Sequence, residues 1–201
     1  MDNLSEYHLC EDPISSWESW FKTAKEKEVN AEAFTLSTID SNGDPQGRLL
    51  LYKGMHEGKF TIYTNLESPK AVQLAESKKA SMTFFWPSAL RQIRILGDVE
   101  VMEPERAEAY FKKRERGSQI ASFISRQSQP IEDRETLLKR FSETEKEYEG
   151  QEIPYPKERW GGFYIVPKKW EFFHYREFRL NDRFVYDQKN EKGWNIFRIQ
   201  P

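Results

Sequence analysis

Between Ile14 and Ala24 the apolar residues Ile14, Trp17, Trp20, Phe21 and Ala24 recur at helical spacing, while Glu18, Lys22, Lys25, Glu26 and Lys27 take the other face. This predicts an amphipathic helix packed on a core, with Asp12 as its N-cap and Pro13 at its first position. Alternation replaces that period over residues 33–40, and Ser41-Asn42-Gly43-Asp44-Pro45 is a strong turn. The run Leu49-Leu50-Leu51-Tyr52 is too short for a free-standing helix and fits a buried strand. His56-Glu57-Gly58 then turns the chain into a returning strand over residues 59–64. Three successive antiparallel strands are therefore expected, with residues 47–64 as a hairpin.

Further along, the pattern predicts a short helix over 69–76 and strands over 80–86 and 92–101, with Gly97 at a bulge or kink. A helix opens at Glu103-Pro104 and is broken at Gly117 and Ser118. Another helical turn or two follows over 119–124, and a charged helix runs from Ile131 to about Tyr148. A Pro-containing linker covers 150–159, and strands return over 162–166, 170–175, 183–186 and 194–199. So many short strands with turn signals favour a small barrel over an open sheet.

Composition narrows the function classes. The 201 residues suit one domain at 12–201, preceded by a mobile segment at 1–11. A net charge of -2 argues against nucleic-acid binding by bulk electrostatics. The single cysteine, Cys10, excludes an internal disulfide framework. Without a bilayer-length apolar run or a signal-peptide plan, the chain reads as cytoplasmic, with no membrane partner. His8, His56 and His174 are scattered, so no metal site is expected. The Gly-rich nucleotide loops and the Gly-x-Ser-x-Gly elbow are also absent.

What remains is a set of cations and hydroxyls. Arg48 and Lys53 bracket one strand, Tyr63 and Thr64 end the next, and Ser68 and Lys70 sit at a helix start. They can form a phosphate cradle, or they can be the solvated ends of an ordinary hairpin. Gln92, Arg114, Gln127, Arg179 and Arg183, with the hydroxyls of Tyr110, Ser118 and Ser128, supply enough groups for a second anion site.

Seven ordered pieces carry a resemblance over nearly the whole chain. They are Arg48-Leu-Leu-Leu-Tyr-Lys53, Tyr63-Thr-Asn-Leu, Arg91-Gln92, Ser125-Arg-Gln-Ser128, Trp160-Gly-Gly-Phe163, Arg179-Leu-Asn-Asp-Arg183-Phe, and Trp194 with Arg198-Ile-Gln-Pro201. In these the sequence resembles the pyridoxamine/pyridoxine 5'-phosphate oxidase family. The resemblance implies a mainly β fold with α, an FMN-binding split β-barrel with flanking helices, forming a homodimer with FMN at the interface. It implies oxidation of pyridoxamine or pyridoxine 5'-phosphate to pyridoxal 5'-phosphate, with O2 reduced to H2O2.

By matching position, the resemblance implies FMN contacts from Arg48, Leu49, Leu50, Leu51, Tyr52, Lys53, Tyr63, Thr64, Lys70, Gln92, Gln127, Ser128 and Arg183. Ser68 is adjacent to these, and Phe173 stands where a Trp walls the flavin. Lys53, Tyr110, Arg114 and Ser118 would hold the substrate phosphate. Arg179 would lie over the pyridine ring, beside Asn181, which replaces a His and cannot titrate. Pro69 stands where the family commonly has a second phosphate-binding Arg. A split-barrel flavoenzyme on another substrate, of the phenazine-oxidase type, and a non-catalytic FMN- or pyridoxal-phosphate-binding protein are the alternatives.

Overall fold

The structure is a computed structural model that describes residues 4–190 and 193–201. The first helix, α1 (Pro13–Lys27), begins where its caps dictate: the Asp12 carboxylate accepts from the backbone N–H groups of Ile14 and Ser15. Its apolar stripe of Trp17, Trp20, Phe21 and Ala24 is buried against the sheet. Ahead of it, Leu4–Tyr7 forms a 3-10 turn and Leu9 is buried. The Tyr7 carbonyl accepts from Trp20 Nε1 at 2.8 Å, and the Cys10 carbonyl from the Tyr186 hydroxyl at 2.7 Å.

Among the described residues nine strands and four more α-helices follow: β1 (Ala33–Ile39), β2 (Pro45–Leu51), β3 (Met55–His56), β4 (Lys59–Asn65), α2 (Pro69–Ser77), β5 (Lys79–Trp86), β6 (Arg91–Val101), α3 (Pro104–Lys113), α4 (Arg116–Ile124), α5 (Arg134–Glu147), β7 (Trp160–His174), β8 (Asp182–Asn190) and β9 (Gly193–Arg198). The chain breaks between α3 and α4 at Arg114 and Glu115, so Gly117 and Ser118 lie inside α4 rather than ending a helix. Among the described residues no helix is long and apolar enough to cross a membrane.

The sheet is antiparallel, in the order β2-β1-β5-β6-β7-β4-β3, with β8 on β7 and β9 on β8. Two expectations are corrected here. Residues 47–53 and 59–64 do not form a hairpin: β2 pairs only with β1, while β4 pairs with β3 and β7. Because β2 and β4 stay apart, the sheet is not closed into a barrel. Gly54 redirects the chain between them: it sits at φ +105, and its carbonyl accepts from both the N–H and the hydroxyl of Thr61.

The segments expected as two strands at 162–166 and 170–175 are one 15-residue strand, β7. One of its edges pairs with β6; the other pairs with β4 through residues 160–165 and with β8 through residues 169–174. The Pro167-Lys168-Lys169 interruption is absorbed where the register shifts between Leu96 and Gly97, and Gly97 stands opposite Pro167. A Cβ on Gly97 would meet the Val166 carbonyl oxygen at 2.6 Å. We expect Gly97→Ala to destabilise the fold by about 1–3 kcal/mol, as overpacking does, and chemical denaturation would measure it. An unchanged midpoint would mean that the bulge relaxes freely.

His174 ends β7 with its ring edge-on to Trp20 at 6.2 Å and its Nδ1 buried without a partner. Burial, then the charges of Arg176, Arg91 and His8, push its pKa down to about 4. The unfolded chain takes up this proton near pH ~6.5. Between those two values the unfolded state binds more protons, so stability falls as pH falls. Between about pH 7 and pH 5, thermal melts should therefore show a smaller loss of Tm in His174→Phe than in the parent protein. Equal losses would show that His174 is not the group responsible.

Candidate functional site

Where β2 and β4 fail to meet there is a cavity of about 650 Å³, within the range of ~300–1,000 Å³ typical of small-molecule sites. One wall is Arg48, Leu49, Leu50 and Leu51 of β2 with Lys53 beyond it; the facing wall is Ile62, Tyr63, Thr64 and Asn65 of β4. Lys70 enters from the first turn of α2, and Gln127 from the loop after α4. Tyr110 and Arg114 come from the end of α3, with Trp160 behind them. Ser118, Ala121, Ser122 and Ser125 line the cavity at helical spacing along α4 and its C-cap. The side chains expected to hold two different phosphates thus share one space.

The charge in this space is uncompensated. Among the described residues no carboxylate forms an ion pair with Arg48, Lys53, Lys70 or Arg114, and Glu115 is the only acidic lining residue. The hydrogen-bond partners of Arg48, Lys70 and Arg114 are neutral. Lys70 Nζ donates to Ser68 Oγ at 3.2 Å and to Gln127 Oε1 at 3.0 Å. Arg114 donates to Ser122 Oγ at 2.5 Å, and its guanidinium lies 5.3 Å over the Trp160 ring. Burial lowers the pKa of both Arg48 and Arg114; for Lys70, burial acts first and the neighbouring Arg48 adds to it. An anion entering the cavity relieves this arrangement.

Aromatic stacking fixes the floor. The Tyr63 and Tyr110 rings stack at 3.8 Å and 10°, and Trp160 lies parallel to both. Burial raises the pKa of the Tyr63 and Tyr110 hydroxyls, so both are neutral donors at physiological pH. Gly162 lets β7 approach β4 here, since a Cβ would meet the Ile62 carbonyl oxygen at 2.7 Å.

Other expected residues lie elsewhere. Tyr52 faces the core, packed on Trp17, Phe21 and Phe60. Ser68 is fully buried beneath the cavity, with its hydroxyl donating to the Asn65 carbonyl. Ser128 is exposed, next to Gln127. Gln92, Phe173 and Arg183 form a lateral row across β6, β7 and β8, away from the cavity lining. Arg183 is paired there with the buried Glu171 and donates to the Gln200 carbonyl. Beyond the row, Arg179 lies exposed in a turn where both Phe178 (φ 55) and Arg179 (φ 62) are left-handed. Asn181 closes that turn, its Oδ1 accepting from the Arg176 N–H at 3.0 Å while its amide N–H groups remain as donors.

The chain thus carries a cationic cavity and a separate row with its turn. Sequence reasoning did not single out Ser122 or Trp160 as site residues. Ser122 stands one helical turn after Ser118, the signal that could have found it, and Trp160 opens a quoted motif.

Comparison with known proteins gives the chain its family. Residues 22–147 match the family model described as pyridoxamine 5'-phosphate oxidase. Residues 160–201 match the one described as the pyridoxine 5'-phosphate oxidase C-terminal dimerisation region. The pyridoxine/pyridoxamine 5'-phosphate oxidase of Leptospira biflexa is 42% identical over 98% of this chain and 93% of its own length. That of Coxiella burnetii is 40% identical over 96% of this chain and 97% of its own length. Among solved structures, PhzG from Burkholderia lata, in complex with tetrahydrophenazine-1-carboxylic acid, shares the fold (TM-score 0.89, 24% identity, 100% of this chain and 97% of that one). So does a pyridoxamine 5'-phosphate oxidase-related, FMN binding protein from Nostoc punctiforme (TM-score 0.73, 19% identity, 92% of this chain and 97% of that one). With both parts of the family matched in order along one chain, and relatives above 40% identity over almost its full length, this chain belongs to the pyridoxine/pyridoxamine 5'-phosphate oxidase family.

Proposed function

We propose that this protein is an FMN-dependent oxidase that converts pyridoxamine or pyridoxine 5'-phosphate to pyridoxal 5'-phosphate, with O2 as acceptor and H2O2 as product. The observation that carries the reading is the set of four cations in one cavity, none of them in an ion pair among the described residues, which suits two phosphate dianions. The residues fit FMN: Arg48 and Lys70 lie together beside the start of α2 for its phosphate, and Leu49, Leu50 and Leu51 offer apolar and backbone contacts to the ring system. When bound, FMN supplies the two-electron acceptor for the substrate carbon.

The chain's own residues bind and orient. Lys53, Arg114 and the hydroxyls of Tyr110 and Ser118 hold the substrate phosphate; the stack on Tyr63 fixes Tyr110, and Ser122 fixes Arg114. In the homodimer of this reading, the Gln92–Phe173–Arg183 row and the Arg179 turn of one protomer close over the cavity of its partner. Phe178 and Leu180 in that turn are 88% and 68% exposed, and Leu49 at the cavity rim is 73% exposed, as surfaces awaiting a partner would be. Arg179 then supplies positive charge over the pyridine ring. Asn181 holds the turn and donates hydrogen bonds, but it moves no proton.

Arg114→Ala should raise KM for pyridoxamine 5'-phosphate about 10- to 100-fold, the worth of charged hydrogen bonds, while FMN stays bound at the parent stoichiometry. Loss of FMN in that variant would mean that the two phosphate sites are exchanged. Adding pyridoxamine 5'-phosphate anaerobically to the FMN-loaded protein should bleach the visible flavin band. Air should restore the band as pyridoxal 5'-phosphate appears. Binding of the phosphate ester without bleaching would refute the oxidase.

A further inference from the structure

Every hydrogen-bond partner of Arg48 among the described residues is neutral. Its guanidinium donates to Thr38 Oγ1 at 2.5 Å and to Gln73 Oε1 at 3.2 Å, and the Thr38 hydroxyl in turn donates to the same Gln73 oxygen at 2.5 Å. The carbonyl of Gln46 accepts a further bond at 3.0 Å. Thr38 and Gln73 are both more than nine-tenths buried, on β1 and α2 respectively, and neither lines the cavity. In the C-terminal strands, by contrast, arginines are secured by buried carboxylates. Glu171 takes Arg94 and Arg183, and Asp182 takes Arg176 and Arg198.

We infer that Thr38 and Gln73 are positioning residues that fix the Arg48 guanidinium while leaving its positive charge whole for the cofactor phosphate. This rests on the FMN reading of the cavity. A guanidinium needs acceptors to be held in one orientation, and a carboxylate would be the strongest of them. A carboxylate at position 73 would also cancel the charge and place a negative group close to an incoming dianion. An amide oxygen and a hydroxyl give the orientation without the cancellation. The hydroxyl relay also locks the Gln73 amide, because its oxygen must face both donors. Since Gln73 lies in the same helix whose first turn carries Lys70, the brace sets Arg48 and Lys70 at a fixed separation.

The test compares flavins with and without a phosphate, binding each to apoprotein and following flavin fluorescence. Gln73→Glu should weaken FMN binding about 10- to 100-fold, leave riboflavin affinity unchanged, and keep or raise the Tm of the apoprotein. Thr38→Val, which removes the relay without adding charge, should weaken FMN binding by a smaller factor, again with riboflavin unaffected. Equal FMN affinity in both variants, or parallel loss of FMN and riboflavin, would overturn the inference. Arg48→Ala separates the two levels: if it too leaves FMN affinity unchanged, Arg48 does not bind the phosphate and the underlying reading of the cavity fails instead.

Discussion

A β-strand has two edges, and β7 has three partners. One edge is committed to β6, so β4 and β8 must share the other end to end. That constraint arranges everything else. It carries β4 to one margin of the sheet, while β2 holds the other margin through β1 alone. The two margins confront each other with side chains instead of backbone hydrogen bonds, and the space between them is the cavity. On its other half, β7 brings Phe173 between Gln92 and Arg183 and leads into the Arg179 turn. Both groups of candidate functional residues are therefore set by a single strand.

The polar chemistry follows a consistent division. Arginines that organise the C-terminal strands are neutralised by Glu171 or Asp182, both buried. Cations at the cavity meet only hydroxyls, amides and an aromatic face. Charge buried without a counter-charge lowers stability, and here burial already pulls at Arg48, Lys70 and Arg114. Stability given up in the ligand-free protein returns as affinity for an anion. Pro69 fits this balance: it begins α2 well, but where a second arginine could stand it adds no further positive charge beside Arg48 and Lys70.

Much of this was legible in the sequence wherever local rules decide. Asp12-Pro13 marked the start of α1, alternation marked β1, short strand-like runs marked β5 and β6, and Gly97 marked the bulge. Arg48, Lys53 and Lys70, at strand and helix ends in the sequence, line the cavity. Strand pairing was not legible in the same way. Residues 47–53 and 59–64 read as a hairpin because they are adjacent, but the partners of β2 and β4 are chosen by the whole sheet. Pro167-Lys168-Lys169 read as a break because Gly97, the residue that accommodates it, lies 70 residues away in sequence. Thr38 and Gln73 gave no signal, since a buried threonine and glutamine look the same whether they brace an arginine or fill a core. The family resemblance named Gln92, Phe173 and Arg183 as flavin contacts, and the fold sets them in a row apart from the cavity.

The contacts of α1 bear on how the chain is made. Trp20 packs edge-on to Phe172 at 5.2 Å, and the segment before α1 is tied through the Cys10 carbonyl to the Tyr186 hydroxyl. A ribosome delivers α1 before β7 and β8, so its two indoles are seated at different times: Trp17 can meet Tyr52, Phe60 and Phe84 early, while Trp20 waits for Phe172. One helix face is thus closed in two stages during synthesis.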